Sequence, residues 1–193
     1  AEIRFLNDFK FTVNGAVGTS SRLGHSASIY YPEKTEVGSS TKTVSFETTW
    51  TFNQLLSYTK NFGNHHVDVL LGHESYDYEY NYLKGSMQNQ TIHNGNFEFS
   101  NYSVPDEQDS YTNTYKTEGF LARANYDYNS RYFLSASVRR DGSSRFYKDS
   151  RWGTFFSVGA GWRIDEERFM EDLDFIDLLK LRVAYGEVGN DAI

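Results

Sequence analysis

Five basic residues offer the clearest chemistry in this chain. Arg123, Arg139, Arg163, Lys180 and Arg182 each fall in step with the polar residues of segments that alternate polar and apolar side chains. On strands, that spacing puts all five on the wet side of a sheet. A row of guanidinium and ammonium groups there would bind carboxylates or another anion, with Arg able to engage them bidentately. The plainer reading pairs them with acidic neighbours on the same wall, such as Asp127. A second string, Asp141-Gly142-Ser143-Ser144-Arg145-Phe146, reads as a turn at its Asp-Gly step. There Asp141, Ser144 and Arg145 would meet an external group, or the loop would simply pack over what lies beneath it. The stretch 84–113 carries Phe97, Phe99, Tyr102 and Tyr111 among several Asn, a mixture suited to stacking on sugar rings or to a solvated loop.

Other constellations fail on geometry. His65 and His66 are adjacent and so face opposite ways on a strand. His73 shares a face with His65 but lies about 27 Å along it, at about 3.4 Å per residue. The acidic group Glu166, Glu167, Glu171, Asp172, Asp174 and Asp177 lacks the spacing of a calcium loop and reads as a solvated rim. Gly159-Ala160-Gly161 is followed by Ile164 where a dinucleotide fingerprint needs its third glycine. No Gly-x-Ser-x-Gly elbow occurs. No catalytic residue, metal site or cofactor is expected, and the chain does not read as an enzyme.

The elements that would carry the basic row are seven strands, at 3–19, 44–62, 65–83, 114–128, 131–140, 152–164 and 178–188. The last four show the sharpest period of two. Tyr132, Leu134, Ala136 and Val138 oppose Phe133, Ser135, Ser137 and Arg139; Phe156, Val158, Ala160 and Trp162 oppose Phe155, Ser157, Gly159, Gly161 and Arg163. Long connections at 20–43, 84–113 and 141–151 alternate with tight turns at Gly63-Asn64 and Asn129-Ser130. The connection 165–177 breaks this rule; Asp165-Glu166-Glu167 with Phe169, Met170 and Leu173 suggests a short amphipathic helical turn.

Long loops at one end and tight turns at the other is the asymmetry of an outer-membrane β-barrel. Tyr58, Tyr126, Tyr128, Tyr132 and Trp162 gather on the apolar faces at the short-turn end, where amphipathic rings mark a membrane boundary. Aromatics are 17% of residues, with 15 Tyr and 15 Phe, while the hydrophobic share is only 38%. Mean hydropathy is −0.64, and no apolar run approaches the roughly 18 residues of a membrane helix. A net charge of −7 makes nucleic acid an unsuitable partner. The absence of Cys excludes a disulfide framework. Since bacterial barrels use even strand numbers, seven strands point to a fragment.

The stretch from Tyr115 to Ile193 resembles the SusC/RagA family of TonB-linked outer-membrane proteins, typical of Bacteroidetes. The resemblance rests on Tyr126-Asp127-Tyr128, Arg131 to Ser137, Arg139 to Phe146 and Arg151-Trp152-Gly153. It continues through Gly161-Trp162-Arg163-Ile164, Glu167-Arg168-Phe169-Met170, Leu179 to Arg182, Tyr185-Gly186 and Gly189 to Ile193. Upstream, Leu56 to Gly63 and Val69 to Glu74 resemble the preceding hairpin. The resemblance implies a barrel of about 22 strands filled by an N-terminal plug that this chain lacks. It also implies a SusD-like surface lipoprotein as partner and energy from TonB with ExbB–ExbD. The expected role is outer-membrane import of a glycan or oligopeptide, with residues 1–193 as barrel wall in contact with lipid. The five basic residues would then face the lumen, toward plug or substrate. The alternative is a soluble all-β carbohydrate-binding module, whose exposed aromatics would form the sugar platform.

Overall fold

The computed structural model describes residues 1–31, 33, 37–171 and 175–189. The expectations that fall on Asp172, Leu173, Asp174 and the final residues 190–193 lie outside them. Eight strands form one antiparallel sheet in sequence order: β1 (Glu2–Phe5), β2 (Phe9–Ser28), β3 (Ser39–Phe62), β4 (His65–Gln90), β5 (Tyr102–Tyr128), β6 (Tyr132–Ser143), β7 (Trp152–Arg163) and β8 (Lys180–Gly186).

The count corrects the expected seven. The segment 3–19 breaks because Leu6 and Asn7 adopt φ of 50° and 57°, folding β1 back on β2. An apolar Leu6 in that turn hid it from a reading based on turn-forming residue types. The tight turns at Gly63 (φ 59°) and at Asn129 and Ser130 (φ 55° each) fall where expected. Asp127 supports the second of these by accepting the Ser130 N–H at 2.8 Å.

The long connections are also corrected. Most of 20–43 and 84–113 is strand: β2 runs to Ser28, β3 starts at Ser39, and a loop is left at 91–101. Asp141 to Ser143 belong to β6, so the expected Asp-Gly turn is ladder and the loop is 144–151. These added stretches are polar on both faces, so they show no clear period of two. The ladder needs only backbone N–H and C=O groups, which bond regardless of that pattern. The connection 164–179 holds two 3-10 turns, Ile164–Glu166 and Arg168–Met170.

The chain divides into two compact units. The first comprises residues 1–16, 51–76 and 116–193; the second, 17–50 and 77–115. In the first, register sorts the side chains cleanly. Ala122, Val138 and Phe156 line up across β5, β6 and β7, and Leu134, Ala160 and Val183 across β6, β7 and β8. The opposite face aligns Arg123 with Ser137 and Ser157. In the second unit, Tyr102 is the one buried apolar side chain among the described residues of the whole chain.

No closed core forms on the apolar face. Leu134, Val158, Leu181 and Val183 are 56%, 49%, 54% and 66% exposed. Being about half exposed, each would gain roughly 1–1.5 kcal/mol more on leaving water, so this face calls for an apolar surrounding.

Candidate functional site

On the polar face of the first unit, the basic row separates into three kinds. Arg139 is neutralised: its Nε donates to Asp141 at 2.8 and 2.9 Å, and its Nη2 to Glu74 at 2.7 Å. Arg163 donates from Nε to Asp165 at 3.1 Å and pairs with Glu166 at 2.7 Å. Lys180, across from Arg163 in register, sets its ammonium 3.4 Å from the centroid of the Phe133 ring. Arg123 and Arg182 make no hydrogen bond or ion pair among the described residues. Ion pairing along the wall is therefore real but partial. Asp127, expected as an ion-pair partner, instead supports its own turn.

The Arg139 pairs border an open cleft of about 700 Å³, lined by Thr51, Asn53, Glu74, Arg139, Asp141 and Phe155 among others. Two glycines make it. A Cβ on Gly119 would sit 2.6 Å from the Asp141 carboxylate and 3.0 Å from the Arg139 guanidinium. One on Gly153 would strike the Phe155 ring at 2.7 Å. Gly72 does the same lower down, where a Cβ would meet Leu121 at 2.8 Å and Leu55 at 3.0 Å. The cleft lining combines the Arg139, Glu74 and Asp141 charges with the Phe155 and Trp152 rings.

Of the residues expected at the loop, Ser144 and Arg145 are exposed and bond to the chain through backbone and hydroxyl groups. Ser144 accepts the Lys116 backbone N–H on its hydroxyl at 2.8 Å and donates its own N–H to the Lys116 carbonyl at 2.9 Å. The Arg145 backbone N–H reaches the Ser143 hydroxyl at 3.3 Å. Asp141 holds Arg139. Of the aromatics singled out in 84–113, Tyr102 is buried with its hydroxyl donating to the Ser39 carbonyl at 3.3 Å. Phe99 packs under Gly85, and Tyr111 stays 50% exposed.

Two features escaped the sequence reading. In the second unit, Tyr78, Tyr80 and Tyr82 repeat at alternate positions of β4 and meet β5 tyrosines. Tyr78 stacks on Tyr115 at 4.9 Å, and Tyr82 on Tyr111 at 5.0 Å. The Tyr-x-Tyr-x-Tyr spacing was there to be found. The other is Glu167, taken for part of a solvated rim. Its carboxylate accepts the Tyr132 hydroxyl, the Trp162 indole N–H at 2.9 Å and the Arg131 guanidinium at 3.1 Å. The Tyr132 hydrogen bond above all, then that from Trp162, holds Glu167 below its ordinary carboxylate pKa. Arg163 does the same for Asp165.

Glu167 thereby joins two aromatics of the short-turn end, Tyr132 and Trp162, beside further ring contacts. Tyr58 packs on Phe9 at 4.7 Å, and His65 contacts Tyr126 and Tyr128 at 5.9 and 4.9 Å. Tyr128 continues to Tyr132 at 6.3 Å. Eight residues up β5, a second aromatic row crosses the same face. His73 stacks on Phe120 at 4.8 Å, and Phe120 lies 6.1 Å from Trp152. The rows stand about 27 Å apart along a strand at about 3.4 Å per residue. At a strand tilt of about 35–45° this spans roughly 19–22 Å of height, the same order as the apolar band, about 25 Å tall, of a transmembrane barrel.

An antiparallel meander with one bare apolar face between two aromatic rows is the wall of a membrane β-barrel. Comparison with known proteins gives the family. Residues 2–190 match the model described as TonB dependent receptor-like, beta-barrel, and the chain belongs to that family. The family is one of receptors and transporters, not enzymes. TonB-dependent receptor P39 of Formosa agariphila is 50% identical over 80 residues, covering 42% of this chain and 8% of that protein. TonB-dependent receptor SusC of Bacteroides thetaiotaomicron is 32% identical over 146 residues, 74% of this chain and 14% of SusC. The chain thus spans a small part of the curated relatives it matches. Among solved structures, that of the RagAB peptide transporter superposes with a TM-score of 0.87 at 21% identity. It covers 96% of this chain and 21% of that one. This likeness establishes the fold, as the resemblance to SusC/RagA implied.

Proposed function

We propose that this chain forms part of the wall of a TonB-energised importer in the bacterial outer membrane. The observation that carries the reading is the apolar face of β5 to β8, unburied and bounded by aromatic rows at both ends. A soluble module would need a second layer over Leu134, Val158 and Leu181, and these side chains are about half exposed. The polar face then lines the lumen, with Arg139 and Arg163 fixing its architecture and Arg123 and Arg182 free to meet plug or substrate anions. The full-length protein works with a SusD-like surface lipoprotein and draws energy through TonB with ExbB–ExbD.

The imported nutrient is a glycan or an oligopeptide. One structural neighbour is described as a peptide transporter, while the tyrosine face of β4 and β5 suits stacking on sugar rings. Reversing charge at both Arg123 and Arg182 in the full-length protein should lower uptake severalfold while the barrel still assembles in outer-membrane fractions. Unchanged uptake by that assembled variant would reject the lumen role of these two cations.

A further inference from the structure

We infer that Arg140, Thr154 and Trp152 form a site for the phosphate headgroup of an outer-leaflet lipid whose acyl chain lies along the apolar face below them. Arg140 is anomalous. It is exposed on the same face of β6 as Val138, Ala136 and Leu134, a face otherwise apolar. A guanidinium stays charged at any physiological pH, so it needs an anion or water. Its carboxylate neighbours are committed elsewhere. Asp141 points to the opposite face and holds Arg139. Glu118, across from Gly142, pairs with His73 at 3.0 Å. What Arg140 does have is the Trp152 ring, 5.3 Å from its guanidinium carbon.

The neighbours supply further donors. Thr154 is the cross-strand partner of Arg140, and Trp152 pairs with Gly142 one step higher on the same face. Cross-strand partners place their Cβ atoms about 5 Å apart. Neither the Thr154 hydroxyl nor the Trp152 indole N–H has a hydrogen-bond partner among the described residues. A fork-shaped cation with a hydroxyl and an indole N–H beside it matches the several oxygens of a phosphate. Gly142 keeps this arrangement possible, since a Cβ there would meet the Trp152 ring at 2.9 Å.

The surroundings select a lipid over a free anion. The three donors sit in the upper aromatic row, at the end of the strands nearest loop 144–151. Below them the face is shallow where alanines replace larger residues. An apolar groove of about 500 Å³ runs there, lined by Ala124, Leu134, Ala136, Val158, Ala160 and Val183. It lies about four residues, or about 13 Å, down the strand from Arg140, in line for the acyl chain of the same molecule.

The proposal rests on the outer-membrane reading, and the two fail differently. If that reading is wrong, the wild-type protein will be missing from outer-membrane fractions. The lipid site is tested on protein that is present there. Full-length protein in non-ionic detergent would be titrated with phosphatidylglycerol, with a diacylglycerol of identical chains and with inorganic phosphate, and read by native mass spectrometry. The wild type should retain phosphatidylglycerol selectively. Arg140→Gln should lower its occupancy about tenfold, the loss of one charged hydrogen-bonding group, and Thr154→Val by a smaller factor. Equal retention by Arg140→Gln would overturn the site and leave a cation that merely snorkels to water. So would diacylglycerol binding as well as phosphatidylglycerol, or displacement of the lipid by inorganic phosphate. Should Arg140→Gln not assemble, Thr154→Val decides, and retention equal to wild type rejects the proposal.

Discussion

The hairpin β6–β7 and the stretch 77–115 are built from the same antiparallel ladder, yet only the hairpin announces itself as strand. In β6–β7 every second residue from Tyr132 to Val138 and from Phe156 to Trp162 is apolar. In 102–113 the run Ser103 to Asn113 mixes Asp, Glu, Gln, Ser and Thr with Val104, Pro105 and Tyr111, and the pattern is lost. The difference lies in what each face meets. Alternation records one apolar and one aqueous surrounding. It does not record the backbone hydrogen bonds that define a strand. Where both faces are wet, strand and loop look alike.

Charge insertion gives the largest contrast between the two regions. Ala136→Arg, in mid-band on the apolar face, should cost about 2–4 kcal/mol of folding free energy in phospholipid vesicles. Ser137→Arg, one residue on, should cost far less, and Val104→Arg in the second region should stay within about 0.5 kcal/mol. Urea titrations of refolded full-length protein would show it. Equal penalties at positions 136 and 137 would erase the distinction between the faces.

Crowding should give a smaller effect. Gly72→Val drives two extra methyl-bearing branches into Leu121 and Leu55 and should destabilise by about 1–3 kcal/mol. Ser110→Val, exposed in the second region, should change stability by about 0.5 kcal/mol or less in the same assay.

The smallest effect concerns pH. Glu167 is held below its ordinary value by Tyr132, Trp162 and Arg131, so its contribution is complete above the unbound carboxylate pKa of about 4.3. It declines as pH falls through the lower folded value. Trp162 emission should therefore hold steady from neutral pH to about 5 and change below about 4. Glu167→Gln should flatten that transition, and a transition persisting unchanged would assign it to another carboxylate.

What was legible follows from the same physics. Strands β6, β7 and β8 could be placed within a few residues, as could the lipid-facing end of β5 and the two turns containing Gly63 or Asn129; the polar start of β5, from Tyr102, could not. The turn at Leu6-Asn7 carried an apolar residue and went unread. The shared polar side of the five basic residues was visible from period alone. Which of them were neutralised was not, because Asp141, Glu74 and Asp165 reach their partners through side-chain geometry and, for Glu74, across 65 positions of sequence. Glu167 looked like one acid in a cluster until Tyr132, Trp162 and Arg131 closed on it.

The most direct test labels single cysteines introduced into this chain, which has none of its own, in a full-length protein from which any other cysteine has been removed. Single cysteines placed in turn at 134 to 138 and 156 to 160 of the full-length protein would carry a nitroxide label, and its accessibility to oxygen and to a water-soluble nickel chelate would be read in native outer membranes. The account predicts strict alternation, with oxygen dominating at Leu134, Ala136, Val158 and Ala160 and the chelate at Ser135, Ser137, Ser157 and Gly159. Chelate access at every position, or at none, would contradict it.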